Sequence, residues 1–242
     1  MTKTAIIIPA RFGSTRLPGK PLIKVLGKPI IQWVYEKAVQ AKLADEVIIT
    51  TDNDLVYEVA KTFTSSVEMT SDNHKSGSDR IAEVTKRHED FDYIVNLQGD
   101  EPLIKPESID FLIEGLHKGA DISTLVRVLK DKNDIENPNC VKCVMDNDGY
   151  ALYFSRSKIP YERNDNQATF YGHIGIYGYT RSALLSMTNN PQSMLEKTES
   201  LEQLRALQMG LKIKTFTVDF VPVGIDTEDD LKNFEQIAKS LL

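Results

Sequence analysis

Long apolar runs are absent from this sequence. The apolar run that opens the chain is broken by Pro9 and Arg11, so it is too short for the hydrophobic region of a secretory signal peptide. No later run approaches the roughly 20 apolar residues that a membrane span requires. We therefore expect a cytoplasmic protein with no membrane partner.

Cysteine is scarce, since Cys140 and Cys143 are the two in 242 residues. A zinc site would need another pair of Cys or His ligands at suitable spacing. A redox pair usually opens a helix, whereas these two lie in a strand-like stretch. We interpret both as reduced structural thiols.

The two common phosphate-binding loops are also missing. Gly13 and Gly19 are one residue too far apart for a P-loop, and Pro21 stands where the magnesium-binding hydroxyl would be. The glycine fingerprint of dinucleotide-binding folds does not occur after the first apolar run. Any phosphate site at this loop must therefore be of a different kind.

The loop after the first apolar run is rich in cations. Arg11, Arg16 and Lys20 come close together, and cations on one turn repel each other unless an anion joins them. Residues 1–43 carry eight Lys/Arg against one acid, a local charge of +7 that leaves −13 for the rest. This asymmetry favours a small polyphosphate ligand over a nucleic acid, which needs an extended basic face. A solvated basic turn is the alternative for the loop taken alone.

Strand-like and helix-like segments alternate in the first half of the chain. Apolar runs predict buried strands at residues 6–8, 47–50 and 93–97. Helical stripes follow each of these runs. The alternation predicts an α/β fold with a parallel, doubly wound sheet, in which ligands bind beyond the carboxyl ends of the strands.

Several residues mark where the helices of this half should begin. We expect Pro29 at the first position of the first helix. Asp52 is expected to cap the second helix. Ser78 or Asp79 is expected to start the helix that runs toward His88.

The second half of the chain predicts a different strand arrangement. Strand-like runs flank a hairpin turn signal at 146–149, so antiparallel strands should join the sheet. We expect a mixed, mostly parallel central sheet flanked by helices, in a single domain over residues 1–242. An antiparallel excursion at about 122–180 should contain a lid or dimerisation region. The leucines from Leu201 to Leu211 predict a helix.

Two acids are candidates for holding a metal ion. Asp100 follows a buried strand directly, so its carboxylate should lie at the same sheet edge as the basic loop. Such an acid suits Mg²⁺ that is held by one or two carboxylates and by substrate phosphates. Asp226 stands at the start of the last helix, and its alternative role is a plain helix cap.

Other polar residues are ambiguous when each is taken singly. His74–Arg80 is a polar loop that enters a helix, and Arg80 could equally be a surface ion-pair partner. His173 lies on a glycine-rich strand beside Tyr177. Glu202 and Gln203 lie on a leucine-striped segment. Spacing alone assigns none of them a role.

Seven motifs taken together are far more specific. They lie in order along the chain, at residues 11–21, 74–80, 98–102, 150–156, 173–179, 201–205 and 224–227. This series closely resembles 3-deoxy-manno-octulosonate cytidylyltransferase, a family also called CMP-Kdo synthetase. The resemblance runs almost from end to end.

The resemblance implies a Rossmann-like nucleotidyltransferase fold, a homodimer and Mg²⁺ as the cofactor. The implied reaction joins CTP and 3-deoxy-D-manno-octulosonate (Kdo) to give CMP-Kdo and pyrophosphate, which activates the sugar for lipopolysaccharide or capsule synthesis. The matching positions for CTP are Arg11, Ser14, Arg16, Lys20, Arg80 and Gln98. Those for the metal are Asp100 and Asp226, which with Arg11 and Lys20 form the implied catalytic set. Those for the sugar acid are Gln98, Arg156, His173, Tyr177, Glu202 and Gln203.

The acceptor is the least determined part of this interpretation. A sugar acid needs a cation in its pocket, and Arg156 with His173 are the matched candidates. Glu202 could also accept an ammonium, so 8-amino-Kdo is an alternative substrate, as is another keto-sugar acid. A nucleotide-binding regulator that lost turnover is the alternative from a different class.

Overall fold

The structure is a computed structural model that describes residues 2–13, 17–164, 167–221 and 224–240. It divides into two compact units, Met1–Asp110 with Pro222–Leu242 and Phe111–Val221, which we call unit 1 and unit 2. The expected single domain stays a prediction. No helix within the described ranges is both long and apolar enough to cross a lipid bilayer.

The elements of the described chain alternate much as the sequence predicts. The strands are β1 (Thr4–Pro9), β2 (Lys24–Val25), β3 (Lys28–Pro29), β4 (Glu46–Thr51), β5 (Val67–Met69), β6 (Tyr93–Asn96), β7 (Ile122–Leu129), β8 (Lys142–Met145), β9 (Ala151–Ser155), β10 (Phe170–Thr180) and β11 (Ile213–Val218). The helices are α1 (Ile30–Ala38), α2 (Asp54–Lys61), α3 (Gly77–Arg87), α4 (Pro106–His117), α5 (Lys132–Glu136), α6 (Arg181–Asn189), α7 (Met194–Glu199), α8 (Gln203–Gln208) and α9 (Glu228–Ser240).

Unit 1 is built on a parallel sheet in the order β6-β1-β4-β5. Its central strand β1 is an unbroken apolar run in which Ile6, Ile7 and Ile8 are fully buried. A strand of a parallel sheet is covered on both faces, which is why this run is continuous rather than alternating. The predicted parallel sheet of the first half is confirmed, and the loop after β1 leaves from its carboxyl edge.

The helix starts in unit 1 differ from those expected. Asn53, and not Asp52, caps α2, because its side chain accepts from the backbone N–H groups of Leu55 and Val56. Ser76 caps α3. Ser76 and Asp79 form a capping box, in which each side chain accepts from the other residue's backbone N–H.

The first helix also begins one residue later than expected. Pro29 is the residue before α1 and has an extended backbone, with ψ at 148°. It ends the short hairpin of β2 and β3, in which Lys24 pairs with Pro29. Proline is therefore used here to stop the hairpin, and the helix starts at Ile30.

Unit 2 contains the antiparallel strands that the second half predicts. Strand β10 pairs antiparallel with β7 and β8, and β8 pairs antiparallel with β9. Strand β11 pairs parallel with β7, so the strands of this unit are mixed. Gly149 closes the β8–β9 hairpin with a φ of 76°, which favours glycine.

The predicted helix over the leucine stripe is confirmed as α8, which is shorter than the stripe and covers Gln203–Gln208. Helices α7 and α8 are separated by Ser200, whose backbone is left-handed with a φ of 52°. The buried ion pair between Arg205 and Glu196 joins the two helices, with Nη2 and Oε1 2.5 Å apart.

Both cysteines of unit 2 are free thiols. Cys143 lies on β8 and is buried, and burial raises the pKa of its thiol to about 12. Burial also raises the pKa of Cys140. A thiol that resists ionisation is a poor nucleophile, which agrees with structural thiols.

Candidate active site

The basic loop after β1 borders a cleft in unit 1 of about 320 Å³. Its lining includes Arg11, Gly13, Lys20, Gly77, Gln98 and Asp100. Four predicted site residues, Arg11, Lys20, Gln98 and Asp100, are thus brought together at the carboxyl edge of the parallel sheet. The predicted residues Ser14 and Arg16 lie outside the described residues.

Lys20 forms the centre of the charged part of this cleft. Its ammonium donates to Oδ2 of Asp100 at 2.6 Å and to Oδ1 of Asp226 at 2.9 Å. The Lys20 side chain is 13% exposed. Burial alone would lower the pKa of Lys20, but the two carboxylates outweigh burial and the pKa is raised. Lys20 is therefore a firmly held ammonium between two acids.

The backbone fixes these two acids next to each other. The N–H of Ile225 donates to the carbonyl of Asp100 at 3.0 Å, which places Asp226 beside Asp100. Gly99 allows a close approach to β1, because a Cβ there would lie 2.9 Å from the Pro9 carbonyl oxygen. Any other residue at this position would push the Asp100 loop away from the strand.

The cap of the last helix is not Asp226. Thr227 Oγ1 accepts from the N–H of Asp230 at 3.2 Å, and the Asp230 carboxylate accepts from the N–H groups of Asp226 and Thr227. Thr227 and Asp230 therefore form the capping box of α9. This leaves the Asp226 carboxylate to bind Lys20, so the interpretation of Asp226 as a plain helix cap is wrong.

Glu101 is a third acid that the sequence did not single out. Burial, with the neighbouring charges of Asp100 and Asp226, raises the pKa of Glu101 to about 8. At neutral pH the group is therefore mostly protonated in this arrangement. Its position directly after Asp100 was the feature of the sequence that could have identified it as a site residue.

The donor atoms of the acid pair suit Mg²⁺. Asp100 and Asp226 offer carboxylate oxygens, and a cation already lies between them in the form of the Lys20 ammonium. Within the described ranges, no group of three or more His, Cys, Asp or Glu side chains is arranged to hold a metal. Such a site fits Mg²⁺ that takes one or two carboxylates and completes its shell with phosphate oxygens and water.

Two arginines of unit 1 lie close to each other. Arg11 Nη1 donates to the Lys75 carbonyl at 3.3 Å, while Arg11 Nη2 is buried and has no hydrogen-bond partner within the described chain. Burial and then the charge of Arg80 lower the pKa of Arg11. A partly buried guanidinium with an unused donor on the wall of a cleft is suited to an anionic ligand.

Arg80 is fully buried, so it is not the surface ion-pair partner that the sequence allowed. It donates to Oδ2 of Asp52 at 2.5 Å and to Oγ1 of Thr70 at 2.6 Å. Its Nε has no hydrogen-bond partner among the described residues. Asp52, expected as a helix cap, is instead the counter-ion of Arg80. The role of Arg80 toward CTP stays a prediction.

The remaining predicted residues lie in unit 2. Arg156 donates through Nε, Nη1 and Nη2 to the backbone carbonyls of Glu199, Pro138 and Ser200, at 2.7, 3.1 and 3.3 Å. Three of the five N–H groups of a guanidinium are thus used. Arg156 therefore organises the surrounding loops.

His173 and Tyr177 are brought together by a bulge in β10. The pairing of β10 with β7 shifts register between Ile174 and Tyr177, and the two rings lie 5.3 Å apart. In a regular strand four residues span about 13 Å. The irregularity, and not the spacing, therefore makes these rings neighbours.

His173 does not supply the positive charge expected for a sugar carboxylate. Burial lowers the pKa of His173 to about 3, so the imidazole is neutral at neutral pH. Its Nε2 lies 3.0 Å from Oγ1 of Thr124, which is also within hydrogen-bond distance of the Ile174 and Ile176 carbonyls, at 3.2 and 2.9 Å. When the Thr124 hydroxyl donates to one of these carbonyls, it accepts from Nε2, which then carries the proton. This corrects the expectation that His173 contributes positive charge.

Glu202 and Gln203 lie at the start of α8. The carboxylate of Glu202 lies 3.7 Å from Nη2 of Arg205, and Gln203 is buried. Burial raises the pKa of Tyr177, and the charges of Tyr179 and Glu202 act in the same direction. His173 and Tyr177 are therefore neighbours, and Glu202 is close enough for its charge to act on Tyr177, while their role toward the sugar acid stays a prediction.

The neutral state of His173 predicts a pH effect on stability. Between pH 6.5, the usual histidine pKa, and about 3, the unfolded chain binds a proton that native His173 does not. The free energy of unfolding should therefore fall as pH falls below 6.5. In His173→Gln the number of protons taken up on unfolding should be lower by about one, so its free energy of unfolding should depend less on pH. The measurement is urea unfolding between pH 4.5 and 7.5. His117→Gln, at an exposed position, is the control. Equal slopes for wild type and His173→Gln would contradict the neutral state.

A family model described as cytidylyltransferase matches residues 5–213, which run through both units. A protein of Thermodesulfovibrio yellowstonii named 3-deoxy-manno-octulosonate cytidylyltransferase is 46% identical, over 96% of this chain and 97% of that protein. A protein of the same name from Escherichia coli is 44% identical, over 94% of this chain and 92% of that protein.

Solved structures agree with these relatives. The structure of CMP:2-keto-3-deoxy-manno-octonic acid synthetase complexed with CTP superposes with a TM-score of 0.96 at 41% identity, and the match covers 100% of both chains. The 4-diphosphocytidyl-2C-methyl-D-erythritol synthase of Anaerococcus prevotii has a TM-score of 0.68 at 13% identity, over 98% of this chain and 96% of that chain. The second match shows a shared fold alone. The predicted Rossmann-like nucleotidyltransferase fold is confirmed.

Proposed function

Because the chain belongs to the 3-deoxy-manno-octulosonate cytidylyltransferase family, we propose that it joins CTP and Kdo to give CMP-Kdo and pyrophosphate. The resemblance that the seven sequence motifs indicate is confirmed by these comparisons. The observation that carries the proposal is the cleft of unit 1, which Arg11 lines together with Lys20, whose ammonium binds the acid pair of Asp100 and Asp226.

The nucleotide is proposed to bind in this cleft through its triphosphate. Arg11 brings a buried donor that has no partner within the described chain, and Lys20 brings an ammonium. Both can neutralise the negative charge that develops as pyrophosphate leaves. Arg80 and Gln98 are proposed as further nucleotide contacts. Ser14 and Arg16, which follow Arg11 in the sequence of the basic loop, are proposed to bind the nucleotide as well.

The reaction is proposed as an in-line displacement at the α-phosphorus of CTP. The anomeric hydroxyl of the sugar attacks, and the bond to pyrophosphate breaks on the opposite side. A hemiketal hydroxyl is more acidic than an ordinary alcohol, so no strong base is demanded of the protein. Catalysis then comes mainly from positioning and charge neutralisation. Mg²⁺, held by Asp100 and Asp226, would supply further charge neutralisation at the phosphates.

The sugar acid is proposed to bind through residues of unit 2. Arg156 supplies the positive charge for the carboxylate, and His173 supplies a neutral hydrogen-bonding imidazole. Tyr177, Glu202 and Gln203 are suited to hydroxyl groups, and Gln98 of unit 1 is proposed to share this role. Neutral His173 makes Arg156 the main determinant for an acidic acceptor.

The proposal also includes the oligomeric state of the protein, its location in the cell and the use of its product. A homodimer is supported by exposed apolar side chains within the 122–180 region, where Leu152 is 62% and Tyr161 89% exposed. A cytoplasmic location fits an enzyme that uses CTP, and the product would feed lipopolysaccharide or capsule synthesis.

The test is pyrophosphate release with CTP, Mg²⁺ and a panel of sugar acids. We expect Kdo to give the highest kcat/KM, ahead of 8-amino-Kdo and a sialic acid. A tenfold or greater preference for 8-amino-Kdo, about 1.4 kcal/mol at the transition state, would overturn the choice of acceptor and leave the reaction type intact. Release with none of the acids would refute the proposed function.

A further inference from the structure

The position of the Lys20 ammonium has a consequence for metal binding. Nζ lies 2.6 Å from one Asp100 oxygen and 2.9 Å from one Asp226 oxygen, so it stands between the two carboxylates that are proposed to hold Mg²⁺. It is not a loose surface contact, because the Lys20 side chain is 13% exposed. The acids are held in place by the Ile225 to Asp100 backbone bond and by the α9 capping box.

An ammonium and a divalent cation exclude each other at this position. Mg²⁺ binds carboxylate oxygens at about 2.0–2.1 Å. A metal ion bound to both Asp100 and Asp226 would lie where Nζ now stands or within a few ångströms of it. Two like charges so close, in a partly buried cleft, repel each other strongly. Lys20 must therefore move before the acid pair can take a metal ion.

A triphosphate bound in the cleft could draw the Lys20 ammonium away from the two acids. Lys20 and Arg11 line the same cavity, and a triphosphate there would present several anionic oxygens to the ammonium. The same phosphates would also complete the coordination of the metal. We propose that Lys20 keeps divalent cations off the Asp100–Asp226 pair until a nucleoside triphosphate draws its ammonium away, so that metal and nucleotide bind cooperatively. This inference rests on the proposed metal role of the two acids.

The arrangement gives Lys20 two successive partners. Without nucleotide it neutralises the two carboxylates of Asp100 and Asp226, and with nucleotide it neutralises phosphate. Coupling of this kind is reciprocal, since a ligand that raises the affinity for metal must have its own affinity raised by metal to the same degree. A free divalent cation should therefore bind the enzyme weakly, and the metal should enter together with CTP.

The test measures Mn²⁺ binding to the full chain without nucleotide, by electron paramagnetic resonance of the free ion. Lys20→Met should bind Mn²⁺ at least tenfold more tightly than wild type. Lys24→Met, which removes an exposed lysine two residues beyond the 3-10 turn Lys20–Leu22, should match wild type. Adding Asp226→Asn to Lys20→Met should abolish the gain, which would locate the new affinity at the acid pair.

Two further measurements complete the test. Lys20→Gln, which keeps a polar side chain without charge, is measured alongside so that a folding defect of Lys20→Met does not decide the outcome. With α,β-methylene-CTP present, wild type should gain at least tenfold in Mn²⁺ affinity, and the Lys20 variants should gain less. Lys20 variants that bind free Mn²⁺ no more tightly than wild type would overturn the proposal.

This outcome is independent of the proposed reaction. Mn²⁺ binding by the free protein requires neither the sugar nor turnover. A protein that shows the expected Mn²⁺ pattern but releases no pyrophosphate with any sugar acid would refute the function alone. A protein that turns over Kdo normally while its Lys20 variants bind no more Mn²⁺ would refute the displacement of Lys20 alone.

Discussion

Asp100→Asn and Asp226→Asn should each lower kcat for pyrophosphate release on the order of a hundredfold or more, because each removes a charge from the proposed metal site, and a metal ion there would be worth several kcal/mol at the transition state. The fold should persist, since both side chains are partly exposed, at 29% and 44%, and fill no core volume. The double variant should be scarcely worse than either single one, because groups that act as a unit are not additive.

A matched acid tests whether the loss belongs to this pair. Asp229 also lies in the first turn of α9, but its side chain is 93% exposed and pairs with Lys232. Asp229→Asn should therefore keep kcat within about twofold, as is usual for surface substitutions. The measurement is steady-state pyrophosphate release at saturating CTP, Kdo and Mg²⁺. Near-normal turnover by Asp226→Asn would show that its bond to Lys20 has no catalytic role.

Lys20→Ala should lower kcat/KM for CTP by about 10²–10³-fold, which corresponds to roughly 2.7–4 kcal/mol of transition-state stabilisation. The loss is expected because the ammonium is the held cation at the centre of the cleft and is proposed to meet the departing pyrophosphate. Lys20→Arg should rescue only in part. A planar guanidinium cannot reproduce a compact ammonium that meets two carboxylates at 2.6 and 2.9 Å.

Lys24→Ala is the control for this loss, since Lys24 is exposed on the hairpin beside the loop. Its kcat/KM should stay within about twofold of wild type. Circular dichroism and thermal unfolding should show that Lys20→Ala is folded. A Lys20→Ala enzyme with the wild-type kcat/KM for CTP would refute the assignment of Lys20 to the triphosphate.

Substitutions of Lys20 and of Asp226 are expected to change the affinity for a divalent cation in opposite directions. Removing Lys20 should improve binding of a free divalent cation and still impair turnover, whereas removing Asp226 should impair both. A residue that only held the loop in place would not separate metal affinity from catalysis in this manner. The comparison of the two variants therefore distinguishes a gating ammonium from a structural ion pair.

Much of unit 1 was predictable from the sequence by itself. The unbroken apolar run of β1 predicts a strand buried on both faces, and parallel strands share one carboxyl edge. That rule alone brings the loop of Arg11 and Lys20 to the same edge as Asp100. The seven motifs then identify the family, because their order along nearly the whole chain is far more specific than any single loop.

The tertiary structure decided what each polar side chain does. Sequence reasoning left Asp226 between a helix cap and a metal ligand, and it assigned the cap of α2 to Asp52. In the structure Thr227 and Asn53 take the caps, which leaves Asp226 for Lys20 and Asp52 for Arg80. Neighbouring residues such as these are equally able to cap a helix, so local preference cannot choose between them.

The physical reason is that charge and protonation depend on groups that are distant in sequence. Lys20 finds Asp100 and Asp226 at separations of 80 and 206 residues, and no periodic pattern reports such a meeting. His173 is neutral because burial disfavours its charged form. The sequence alone thus determined the strands, the edge at which the chemistry collects and the family. Only the folded chain determined which cation stands between the two acids and which expected cation has no charge.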